Sequence, residues 1–111
     1  MTQLIALDTL PDRPIEVGGI VSVVVVSAAN VVKDVRENIR NMLGGRMPHY
    51  EALIQQAMDT ALLELEARAA AQGYDGVVGV KLTHPVVVDG AVEIIAYGNG
   101  FRFAQAELPS T

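Results

Sequence analysis

"HYEALIQQAMDTALLELEARAAAQG", His49 to Gly73, is the stretch whose period decides the fold. Leu53, Ile54, Ala57, Met58, Ala61, Leu65 and Ala69 recur every three or four residues and form one apolar stripe. Glu51, Gln55, Asp59 and Glu66 fall on the opposite side. Glu64 and Arg68 stand at i, i+4, the spacing of a surface ion pair. Gly73 supplies the stop. A long helix with one apolar stripe needs a second layer to cover it, and the flanking sequence provides that layer.

Upstream, "EVGGIVSVVVVSA" from Glu16 is rich in β-branched residues and carries two glycines near its start. It reads as a long strand, largely buried on both faces, with Gly18 and Gly19 allowing a bulge or bend. Before it, "QLIAL" at Gln3 to Leu7 is a short strand candidate, and Pro11 and Pro14 break the segment between the two. Between the long strand and the long helix, "NVVKDVRENIRNML" places Val31, Val35, Ile39 and Met42 on one helical face. Asn30 fits an N-cap there, and Gly44-Gly45 a C-terminal stop.

Downstream, "DGVVGVKLTHPVVVDGAVEIIAYGNGFRF" returns to strand character, and Asp89-Gly90 marks a hairpin turn. Asn99, between two glycines, reads as a bulge or turn near the chain's end. The expected order is β-α-α-β-β with an extra N-terminal strand. This is one α+β domain over residues 1–111, two helices packed on a mostly antiparallel sheet. No linker, repeat or low-complexity segment interrupts it.

Composition bounds the function. Half of the 111 residues are hydrophobic and 19% are charged, more apolar surface than a lone subunit of this size easily hides. Association between copies is therefore favoured over a dense monomeric core. The net charge is −5 and the basic residues are scattered, so no basic face for nucleic acid is visible. There is no cysteine, which excludes disulfides and fits a reducing cytoplasm. The N-terminus lacks signal-peptide character, and the apolar run Val23 to Val32 is too short for a bilayer.

The ordered pieces "AANVVKDVRENIRNMLGGRMPHYE", the long Ala-rich helix, "GYDGVVGV" and a glycine-bearing last strand together resemble the YbjQ family over about Val17 to Phe103. The flanks, 1–15 and 104–111, are peripheral to that resemblance. These are small proteins of unknown function, sometimes labelled heavy-metal-binding. The resemblance implies a dodecin-like subunit and a homo-oligomeric, ring-like pentamer. The chain departs from the family pattern at three places. Met58 stands where an Arg is usual. Lys81, Thr83 and His84 replace acidic and tyrosine residues. "GNGF" closes the domain in place of a "GTAV"-like segment. A family site that used those positions is altered or absent here.

Candidate sites are few. Gly44 and Gly45 expose amides, and Arg46, with Tyr50 and Glu51 at the helix start, could hold a small anion or phosphate. The structural alternative, which we favour, is a turn fixed by Arg46 pairing with Asp34 or Glu51. For a metal ion, only His49 and His84 offer imidazole. They make a site only if the fold or a subunit interface brings them together; otherwise they are two surface histidines. Tyr50, Tyr74 and Tyr97 could line a pocket between subunits, though packing explains them better. No catalytic constellation, nucleotide motif or cofactor motif is present, so no enzymatic activity and no cofactor are expected.

Overall fold

In the computed structural model, residues 2–26, 48–85 and 91–104 are described, with the backbone alone at 48–50. The elements are β1 (Gln3–Leu4), β2 (Ile15–Val26), α1 (Pro48–Ala71), β3 (Gly76–Thr83) and β4 (Glu93–Phe103). The expected first helix, Asn30 to Leu43, the Gly44-Gly45 stop and the Asp89-Gly90 turn lie outside the described residues. One helix on one sheet is therefore what can be stated of the expected two.

The sheet is four-stranded and mixed, in the order β1-β3-β4-β2. β4 is central and antiparallel to both neighbours, whereas β1 runs parallel to β3. The chain continues from β1 along β3 beyond the formal strand: Val80 N–H donates to Ile5 O at 3.0 Å and Gly79 N–H to Leu7 O at 2.7 Å. The N-terminal segment thus protects one sheet edge. On the other edge, among the described residues, β2 has a strand neighbour on one side only.

Helix α1 opens on Pro48, where a fixed φ helps and a missing N–H costs nothing. Its buried ridge is Ala57, Ala61, Leu65 and Ala69, each no more than 4% exposed. They are spaced by four, as the sequence stripe requires. Three alanines bring the helix close to the sheet, and Leu65 fills the space between. The ridge packs on Val21, Val23, Val77, Ile94 and Ala96 of β2, β3 and β4. Leu53, Ile54 and Met58 extend the stripe as half-buried residues toward the helix start. On the polar side Gln55 Nε2 donates to Asp59 Oδ1 at 2.8 Å.

The helix ends in a Schellman motif. Tyr74 N–H donates to Ala69 O and Gly73 N–H to Ala70 O, both at 3.0 Å, with Gly73 at φ +84°. Arg102 satisfies two further carbonyls of that terminus: Nε donates to Gly73 O at 3.1 Å and an Nη to Gln72 O at 3.4 Å.

Two expectations need correction. β2 is not buried on both faces. Val21 and Val23 point at α1, while Ile20 is 75% and Val24 62% exposed on the far side. Among the described residues α1 covers one face of the sheet, and the alternate residues of the valine run are exposed on the other. Asn99 is not a turn; it lies inside β4, paired with Ile20 and Val78. The irregularity falls on its neighbours. Gly18-Gly19 form the extra residue of a bulge opposite Gly100, and Gly79-Val80 one opposite Gly98. Asn99 Nδ2 donates to Gly18 O at 3.3 Å and ties one bulge to the central strand.

Candidate functional site

Two features of the fold remain unexplained by packing alone. The first is the far face of the sheet. Cross-strand partners in direct register share a face, so Ile20, Ser22 and Val24 of β2 lie beside Asn99, Tyr97 and Ile95 of β4. Val17 and Val26 are 57% and 58% exposed at the two ends of the same strand. Tyr97, a candidate pocket residue by sequence, sits on this face, and the half-buried Tyr74 ring lies against Gly18 and Gly100 beside the end of α1.

The second feature is a cavity of about 270 Å³ between the start of α1 and the ends of β3 and β4 near Thr83 and Glu93. Ile54 and Met58 line it from the helix, Leu82 and Thr83 from β3, Val92 and Ile94 from β4, and His84 from just beyond β3. The wall is almost wholly aliphatic apart from Thr83, His84 and the thioether of Met58. His84 is exposed and its Nδ1 bonds the backbone carbonyl of Glu93. A carbonyl oxygen only accepts, so Nδ1 carries the proton. In the neutral ring the lone pair is then left on Nε2.

The predicted site residues are dispersed. Arg46 lies outside the described residues, as do Asp34, Gly44 and Gly45. Of His49 and Tyr50 only the helical backbone is described, in the first turn of α1. Glu51 comes next in that turn and is exposed. His84 lies at the end of β3 and does line a cavity. Among the described residues, no three His, Cys, Asp or Glu side chains gather as a metal group. Likewise, no described helix is long and apolar enough to cross a membrane.

By sequence Met58 reads only as core, because a methionine within an apolar stripe carries no other signal. His84 stands out in the sequence, but without a partner. The fold supplies one: a soft thioether and an imidazole with one free nitrogen line the same space.

Among the described residues the architecture is that of a small α+β domain in which one long helix covers a bulged, mixed sheet, with Ile20 and Val24 of β2 exposed on the opposite face. Comparison with known proteins then places it: the family model described as "Putative heavy-metal-binding" matches residues 3–103, and the chain belongs to that YbjQ family. The match begins at residue 3, so it takes in β1, ahead of the segment over which the sequence alone shows the resemblance. A UPF0145 protein of Halobacterium salinarum is 35% identical over 103 residues, covering 92% of this chain and 99% of the relative. A UPF0145 protein of Shewanella frigidimarina is 32% identical over 96 residues, covering 86% and 90%. Among solved structures, a DUF74-family protein of unknown function from Pediococcus pentosaceus superposes with a TM-score of 0.62 at 16% identity. It covers 93% of this chain and 98% of that one, and it supports the fold.

The family description makes a metal worth testing against the residues present. Without cysteine, thiolate coordination is excluded. Among the described residues no carboxylates join a histidine in a group of three or more potential ligands. What the fold does bring together is the Met58–His84 pair, a donor set that fits a soft cation and not a hard, oxygen-seeking one.

Proposed function

We propose that the protein is a cytoplasmic homo-oligomeric assembly protein without enzymatic activity of its own, whose copies meet across the uncovered face and free edge of β2. The observation that carries this reading is β2 itself. It is a 12-residue edge strand with Glu16 as its one charge, and Val17, Ile20, Val24 and Val26 on it are each more than half exposed. Natural edges of this length are usually blunted by lysine, proline or a covering element. Here the bulge at Gly18-Gly19 disturbs only the first third of the strand. Contiguous apolar surface of this kind marks contact with another chain. The excess of apolar residues in the composition points the same way, and a second copy is the occupant that accounts for it.

A ring of five copies is the arrangement taken from the family resemblance. Native mass spectrometry of untagged protein, purified without chelators, tests it. The expected species has five times the subunit mass of 11.8 kDa. A single-subunit mass at micromolar concentration would overturn the assembly reading, and another multiple would correct the number alone. A second reading, a ligand-binding protein, rests on the cavity lined by Met58 and His84.

A further inference from the structure

We propose that Met58 and His84 form a binding site for a soft monovalent metal cation, copper(I) or silver(I), within a single subunit. The two side chains come from different elements, the helix and the end of β3, and line one cavity of about 270 Å³. The histidine keeps one ring nitrogen available for ligation. Its Nδ1 proton is committed to the Glu93 carbonyl, which holds the ring and leaves Nε2 as the donor. Methionine has three rotatable bonds and a polarizable sulfur, so Met58 can bring its thioether to a cation held at the histidine.

The remaining walls decide which cation. Ile54, Leu82, Val92 and Ile94 contribute only hydrocarbon, Thr83 adds a single hydroxyl, and among the described residues no carboxylate lines the space. Magnesium and calcium require several oxygen ligands, and zinc takes four donors in a structural site. Neither demand is met by one imidazole, one thioether and one hydroxyl. A monovalent d¹⁰ cation is different: it favours thioether and imidazole, and it carries half the charge into an apolar site, where desolvation is costly. His84 is exposed, so the cation has a route in from solvent. The site needs no second subunit, and its test is therefore independent of assembly.

Silver(I) is the probe, since it matches copper(I) in softness and does not change oxidation state in air. Protein labelled with ¹³C at the methionine methyls carries four reporters, at Met1, Met42, Met47 and Met58. On titration with silver nitrate in chloride-free buffer, the Met58 methyl is expected to shift and to saturate at one equivalent per subunit. His84 ring signals should move over the same range. Met58→Leu conserves volume and should leave the urea midpoint close to that of the parent. His84→Gln changes an exposed residue and provides a second variant if Met58→Leu does not fold. Each should weaken binding by about 10–100-fold or more, the range for losing even a residue that supports a ligand. Saturation of Met1, Met42 or Met47 while Met58 stays still would overturn the proposal. So would parental silver affinity in both variants.

Discussion

The phenol oxygen of Tyr74 accepts the backbone N–H of Gly19 at 3.0 Å, across 55 residues of sequence. The bulge in β2 takes that amide out of the ladder to β4, and the tyrosine gives it a partner. The ring lies against Gly18 and Gly100 on the two paired strands, with the Arg102 guanidinium 4.7 Å from its centroid. One side chain thus links the helix C-terminus, the bulge and the central strand.

Two substitutions separate the parts of that link. Tyr74→Phe keeps the ring and leaves the Gly19 amide unbonded, and is expected to cost about 1 kcal/mol. Gly100→Ala places a methyl group into the Tyr74 ring, so the ring must shift. It should cost more, on the order of 1–3 kcal/mol. Urea unfolding of both variants measures the order. A Gly100→Ala protein as stable as the parent would mean that the ring does not pack against β4 in solution.

At the helix end, Gly73 has φ +84°, a conformation that side chains with a Cβ resist, while a Cβ there would meet only an Arg102 Nη at an unstrained 3.5 Å. Gly73→Ala should therefore cost about 1–2 kcal/mol through backbone strain alone. Because the penalty is local, Gly73→Asn should recover part of it, asparagine being the next best residue there. Equal losses for Ala and Asn would point to a steric cause.

Leu65 is fully buried at the centre of the ridge. Leu65→Ala should lower stability by about 2–5 kcal/mol, because the backbone around it has little room to collapse. Leu65→Asp buries a charge without a partner and should prevent folding. Circular dichroism and solubility report the outcome. A soluble, native-like Leu65→Asp protein would show that the phase of α1 is wrong.

The elements set by local rules are legible in the sequence: the stripe on α1, the Gly73 stop and the glycine bulge in β2. The antiparallel pairing of β3 with β4 belongs with them, as neighbours in sequence. What escapes depends on distant partners. The parallel β1–β3 pairing joins two residues to a strand over 70 positions away. The valine run of β2 reads as buried because periodicity reports hydrophobicity, and cannot say whether the cover is a helix or another subunit. Met58 and His84 illustrate the same limit at the cavity. Nothing in their spacing announces that a helix and a strand end bring them together.

The bare face of β2 yields the sharpest prediction about assembly. Ile20 and Val24 are exposed in the subunit, so lysines there should change its own stability by no more than about 0.5 kcal/mol. Placed in an interface, the same lysines bury two uncompensated charges per contact and should break it. The Ile20→Lys, Val24→Lys double variant is thus expected to keep the parental circular dichroism while its native mass falls to that of one subunit. Leu63→Lys is the contrast: Leu63 is 67% exposed on the side of α1 away from the sheet, and its replacement should leave the mass unchanged. If the double variant keeps the parental mass, the copies do not meet on this face. If only Leu63→Lys dissociates the protein, the interface lies on the helix and the free edge of β2 needs another explanation.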